Sequence, residues 1–168
     1  MSILNILTWP DERLRRKAKP VAVVDDGVRA FAADLAETMY AARGVGLAAT
    51  QVGDLRRIIA VDVSDTRDAL EVLINPRILA SDGVARGDEG CLSVPDVTEA
   101  VSRAARIRFA ALDLDGNPVE READGLLAVC VQHEVDHLDG VLFIDHLSPL
   151  KRQRLGKRAA KIEREARS

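Results

Sequence analysis

The sequence predicts an α+β fold of antiparallel strands and helices, in one domain spanning residues 1–168. Three observations carry this expectation. Short segments rich in β-forming residues stop at turn signals, and two of them flank the hairpin signal Asp115-Gly116. Two other segments, 27–43 and 125–138, place apolar residues at helical spacing or all round a helix. A basic segment from 149 onward opens on Ser148-Pro149, an N-cap followed by proline at the first helical position.

Taken in order, Val28, Phe31, Ala32, Leu35 and Met39 give the first helix an apolar stripe. Asp25 or Asp26 can cap its start, and Gly44 suits its stop. A glycine-containing loop, residues 44–51, follows. Residues 57–63 and 70–74 read as strands, the second ended by Asn75-Pro76. Residues 106–114 and 118–123 form the predicted hairpin. Asp124 then caps a helix from Gly125 to Leu138, and Gly140 ends it. Its first half is apolar nearly all round, which marks a buried helix. Its second half carries His133, Glu134, Asp136 and His137. Burying four ionisable groups is costly unless they are paired or bind a metal.

Composition limits the class of protein. Apolar residues make up 47% and charged residues 30%, the balance of a folded domain rather than a disordered chain. No stretch approaches the roughly 18 apolar residues of a membrane span, and the start of the chain has no secretory pattern. The expectation is a cytoplasmic protein without a membrane partner. Two cysteines, Cys91 and Cys130, make no disulfide framework. The net charge of −3 excludes a globally basic DNA binder. The charge is uneven, however: residues 149–168 hold eight Lys/Arg against two Glu, a net +6, leaving −9 on the rest. Such a basic tail can contact an anionic partner or simply be a solvated helix.

His133-Glu134-Val135-Asp136-His137 fits H-E-x-x-H. Residues four apart on a helix lie on one face, so both imidazoles can grip one ion with Glu134 beside it as a base. A catalytic metal generally has three protein ligands and one open position. In the longer protease pattern H-E-x-x-H-x-x-G-x-x-H, Gly140 matches but the third histidine position holds Phe143, which cannot ligate. Cys130 is seven residues from His137, about 10 Å along the helix axis, too far for one ion to serve both. Cys91, in Glu89-Gly90-Cys91-Leu92-Ser93, remains the best third ligand. A small core thiol is an equally common role for a lone cysteine; the helix beside it favours ligation.

Three segments together resemble the signature of peptide deformylases: 44–51 (GVGLAATQ), 89–93 (EGCLS) and 132–137 (QHEVDH). The resemblance runs over nearly the whole chain, including residues 10–15 (PDERLR). It implies antiparallel sheets packed around a central H-E-x-x-H helix, with a C-terminal helix. It implies Cys91, His133 and His137 as ligands of one divalent metal, typically Fe2+ in the family, with Zn2+ or Ni2+ able to replace it. The mixed sulfur and nitrogen set also admits Co2+.

The implied reaction removes the formyl group from the N-terminal methionine of nascent polypeptides. Water activated at the metal attacks the formyl carbon, Glu134 takes its proton, and the departing amine receives it. Gln51 and the Leu92 N–H would bind the formyl oxygen, with Gly46 beside them at the catalytic centre. Val45, Leu126, Val129, Cys130 and the face of His133 would hold the methionine side chain, and Gly44, Glu89 and Gly90 the peptide. Arg103 would pair with Glu89. Thr98 and Gly87 depart from the family's usual arginine and apolar residues. The basic tail would reach the ribosome. An H-E-x-x-H protease with Glu163 or Glu165 as third ligand, or an inactive binding homologue, are the competing expectations.

Overall fold

Residues 2–167 are described by a computed structural model. Among the described residues, seven strands and three α-helices run in the order α1 (Asp26–Ala41), β1 (Gly46–Ala48), β2 (Ile58–Val61), β3 (Glu71–Asp82), β4 (Ala85–Cys91), β5 (Val94–Arg103), β6 (Arg106–Leu112), β7 (Pro118–Asp124), α2 (Gly125–Leu138) and α3 (Pro149–Arg167). Five strands form one sheet in the order β1-β2-β3-β6-β7, and β4 and β5 form a separate hairpin. Every pairing between these strands is antiparallel.

The alternation of β2 explains how the layers stack. Ile58 and Ala60 point to one face and join Val28, Leu35 and Met39 of α1. Ile59 and Val61 point to the other and join Ala128, Val131, Val135 and Leu138 of α2. With a side-chain period of two, a central strand buried on both faces must be apolar throughout. The opposite side of α2 meets the β4–β5 hairpin through the pairs Cys91–His137, Glu89–His133 and Arg103–Asp136, and the hairpin's Val94, Val97 and Val101 pack with Leu142, Phe143 and Leu147. Thus α2 lies between sheet and hairpin, which is why its later turns are buried.

Several local expectations are corrected. Asn75-Pro76 does not end its strand. Instead β3 continues to Asp82 through a register shift between Ile74 and Arg77. Asn75 adopts φ 52°, and its side-chain amide binds both the N–H and the carbonyl of Val21. A bulge leaves one residue outside the ladder, so Pro76 needs no donor there. Gly44 is not the residue that turns the first helix off: Arg43 takes the left-handed position at φ 59°. The Arg43 and Gly44 N–H groups close back on Tyr40 and Met39 carbonyls, the pairing of a Schellman end.

Asp25, rather than Asp26, caps α1 by accepting from the Val28 N–H. Asp124 stands at the N-cap of α2, but its side chain makes no capping bond. Residues 44–51 are not merely a loop: Gly46–Ala48 is an edge strand and Ala49–Val52 a 3-10 turn. Strands β4 and β5 had no sequence-based counterpart, so Cys91 ends a strand rather than sitting in a loop. Their exposed positions carry Arg86, Asp88, Asp96, Thr98 and Ser102, and the hairpin turn contains neither Asn-Gly nor Asp-Gly.

At the end of α2, Gly140 has φ +77°, and a Cβ there would fall 2.4 Å from the Arg15 carbonyl. Only glycine satisfies both the turn and that approach. Ser148 starts α3 as expected, its hydroxyl accepting from the Lys151 N–H. No residue of α3 is buried, although Leu155 packs partly against the hairpin core. Ser168, the end of the predicted basic tail, lies outside the described residues. Among the described residues, no helix is long and apolar enough to cross a membrane.

Candidate active site and metal centre

Helix α2 supplies two imidazoles and a carboxylate, and the end of β4 supplies a thiol. His133 and His137, one turn apart, bring their Nε2 atoms to 3.2 Å. Cys91 Sγ lies 3.2 Å from His137 Nε2. The three donor atoms all fall within 4.8 Å of one another and form a group able to hold a metal ion. Ligands at ordinary Zn–N and Zn–S lengths on a tetrahedral ion stand roughly 3.3–3.6 Å apart, so the spacing suits one ion. Two further features fit. Glu134 Oε1 is buried without a hydrogen-bond partner, and the anionic neighbours favour a cation at this point. Burial alone would discourage charge on His133, yet Glu134, Cys91 and Glu89 together raise its pKa to about 10. Burial and the charge beside it push His137 well below the ordinary histidine range.

A network anchors these groups from outside. Glu89 Oε1 stands 3.0 Å from His133 Nδ1, and Arg103 grips both Glu89 oxygens at 2.6 and 2.9 Å. Arg103 also reaches Asp136 at 2.9 Å, and Asp136 meets His146 Nε2 at the same distance. Burial opposes the charge of Glu89, but the bonds from His133 and Arg103 win and hold its pKa at about 2. A carboxylate–histidine pair of this kind fixes ring orientation and leaves Nε2 facing the site. Asp136, expected among the buried charges, is partly exposed, while His133, Glu134 and His137 are buried.

Glu134 is enclosed by Gly46: a Cβ on Gly46 would stand 2.5 Å from Glu134 Oε2 and 2.7 Å from Cys130 Sγ. Burial raises the Glu134 carboxyl to about 7, against the opposing charges of His133 and Arg103. The Gln51 amide is oriented by the Ala48 N–H, which donates to its Oε1 at 2.9 Å. Gln51 Nε2 donates to Ser93 Oγ at 3.0 Å and also approaches Cys91 Sγ at 3.6 Å. Gly44 supports the same centre, because a Cβ on it would strike Leu92 Cδ1 at 2.7 Å.

These groups open into a cleft of about 450 Å3. Gly44, Val45 and Gly46 form one wall; Glu89, Gly90, Cys91 and Leu92 form the other. Leu126, Val129, Cys130, His133 and Glu134 of α2 close its base, with Gln51 beside them. Leu126 is 55% exposed, so the first turn of α2 is cleft rather than core. Thr98 also lines the cleft; Gly87 does not, and a Cβ there would meet nothing within 4 Å.

Sequence reasoning missed Ser93, the partner of Gln51, and Arg43, Asp88 and Asp96 on the cleft lining. All but Arg43 belong to the hairpin, whose strands gave no periodic signal. Phe143, at the place of a third histidine, stacks 6.0 Å from the His133 ring. Glu163 and Glu165 lie on α3 and are not part of the metal-type group.

A half-buried thiol, two buried imidazoles and a carboxylate at an open cleft define the class as a hydrolase with a mononuclear metal-type centre. The chain belongs to the polypeptide deformylase family, whose model matches residues 3–153. It is 57% identical to a peptide deformylase of Alkalilimnicola ehrlichii, over 99% of this chain and 94% of that one. Its fold is similar to the crystal structure of a peptide deformylase from Legionella pneumophila, with TM-score 0.90, 45% identity and 99% of each chain covered. It is also similar to the Ehrlichia chaffeensis peptide deformylase in complex with actinonin, with TM-score 0.91, 38% identity and both chains fully covered. The reaction is the family's, hydrolytic deformylation of peptides.

Proposed function

We propose that residues 1–168 act as one catalytic domain that deformylates the N-terminal formyl-methionine of nascent polypeptides, with Cys91, His133 and His137 holding one divalent ion. The convergence of those three donor atoms beside the enclosed Glu134 carboxylate carries this reading. When bound, the ion would supply Lewis acidity, polarising the formyl oxygen and acidifying water.

The chain's own groups do the rest. Glu134 takes a proton from the attacking water and returns it to the departing amine, its unpartnered Oε1 free to do so. The Gln51 amide, held by Ala48 and Ser93, and the Leu92 N–H face the formyl oxygen as charge develops on it. Each such donor contributes on the order of 3 kcal/mol to the transition state. The cleft walls at 44–46 and 89–92 hold the extended peptide backbone. Val45, Leu126, Val129, Cys130 and the His133 face receive the methionine side chain. Thr98 offers no long cationic side chain to the peptide downstream.

Glu134→Gln tests the scheme: metal content should hold while formate release from formyl-Met-Ala-Ser falls by at least a hundredfold, the scale of a lost acid–base group. A variant keeping most of its rate would remove Glu134 from this role. We read Fe2+ as the ion in the cell, with Zn2+, Ni2+ or Co2+ able to replace it, and metal analysis after anaerobic purification decides. We read the location as cytoplasmic and the basic α3 as a ribosome contact. Removal of residues after Ser148 should then weaken ribosome binding in a salt-sensitive way; unchanged binding would exclude it.

A further inference from the structure

The cleft wall at 44–46 leads into a short edge strand, Gly46–Ala48, with sheet partners on one side only. An edge strand of three residues has few bonds to fix it. Behind it, the loop between β2 and β3 folds back on the same backbone. Arg67, at φ 59°, donates through its guanidinium to the Gly44 carbonyl and to the Asp62 carbonyl at 3.0 Å. Its guanidinium carbon lies 5.0 Å from the centre of the Tyr40 ring. The Tyr40 hydroxyl donates to Asp62 Oδ2 at 2.6 Å, and the Asp62 N–H donates to the Val45 carbonyl at 2.8 Å. Asp62 is itself buried and receives the Ser64 hydroxyl and the Ser64 and Ala69 N–H groups. The carbonyls of two successive cleft-wall residues, Gly44 and Val45, are therefore both held from this one loop.

We propose that Arg67 is a positioning residue for the peptide substrate: by clamping the Gly44 carbonyl it sets the cleft wall against which the substrate backbone lies. This rests on the cleft reading given under Proposed function. Arg67 is not among the residues lining the cleft and acts only through Gly44. Three features make the clamp specific. A planar guanidinium spans two carbonyls and stacks on an aromatic ring, which an ammonium does not do. The carbonyl held belongs to the residue whose approach to Leu92 leaves no space for a Cβ. Finally, the hydrogen bonds and ring contact of Arg67 go to Gly44, Asp62 and Tyr40 and to none of Cys91, His133, Glu134 or His137, so it bears on substrate binding rather than on proton transfer.

The test uses metal-loaded enzyme and three proteins: the parent chain, Arg67→Ala and Arg67→Lys. Each is assayed with formyl-Met-Ala-Ser and with formyl-methionine alone. In Arg67→Ala, loss of one charge-assisted hydrogen bond should raise KM for the tripeptide about tenfold, with kcat within about twofold. Formyl-methionine, lacking the downstream backbone, should change much less. Arg67→Lys keeps the charge but should leave the tripeptide KM raised about threefold or more. Equal effects on both substrates, a fall confined to kcat, or full recovery by lysine would overturn the proposal. So would kinetics unchanged beside a lowered melting temperature, which marks a merely structural role. A parent protein inactive on both substrates would instead count against the deformylase mechanism itself.

Discussion

Gly46 and Glu134 are packed so closely that a single methyl group on the glycine would stand 2.5 Å from the carboxylate oxygen Oε2. The edge strand and the metal-type helix thus meet at the group proposed to move the proton, and the position of one is read by the other.

Gly46→Ala should therefore damage activity more than folding. Overpacking costs about 1–3 kcal/mol of stability, whereas a displaced carboxylate near 1 Å out of place should lower kcat about a hundredfold. The same Cβ would also press on Cys130 Sγ. Adding Cys130→Ala should relieve part of the stability loss and little of the rate loss. Recovery of kcat in the double variant would show that the sulfur, not Glu134, is the sensitive partner.

Arg103 is buried between Glu89 and Asp136. Arg103→Ala leaves the Glu89 carboxylate enclosed without its guanidinium partner and should cost about 3–5 kcal/mol in urea unfolding. Arg103→Lys should rescue only in part, since an ammonium cannot make the paired contact to both Glu89 oxygens. Loss below about 1 kcal/mol in the alanine variant would mean that water replaces the arginine without penalty.

Glu89 orients His133 through Nδ1. Glu89→Gln removes the anion from that pair, so affinity for the bound ion should drop roughly 10–100-fold. Competition against a chelator measures this directly, and unchanged affinity would separate Glu89 from the metal-type centre.

Asp62 links stability to acid. The Ser64 and Tyr40 side chains hold its carboxyl at about 2, against the effect of burial. An unfolded aspartate titrates near 3.9. The folded value is the lower one, so its contribution is complete above about pH 4 and disappears as pH falls toward about 2. The stability gap between the parent chain and Asp62→Asn should accordingly narrow from pH 5 to pH 2.5. A gap that widens over that range would contradict the sign.

Much of the fold followed from local pattern. The helical spacing of residues 28–39 gave α1, the Asp115-Gly116 turn gave the β6–β7 pair, and H-E-x-x-H on an apolar helix put two imidazoles on one face. Each of these signals is written within a few turns or one hairpin, so no distant residue is needed to interpret it. The hairpin of β4 and β5 was not legible, because its exposed faces are polar and its burial comes from residues 7–14 and 142–147, remote in sequence. Asn75-Pro76 likewise reads as a stop, until Val21 supplies both partners for the asparagine amide.

By itself, then, the sequence determined the elements whose periodicity is local, the helix that carries His133, Glu134 and His137, and the family signature. Tertiary structure alone decided which sulfur lies 3.2 Å from His137, how Arg103 and Glu89 brace the second imidazole, and which loop clamps the cleft wall. The physical reason is one of range. Helical and turn preferences act over a few residues, but the distance between Cys91 and His137, 46 positions apart, is set by how the hairpin packs against α2.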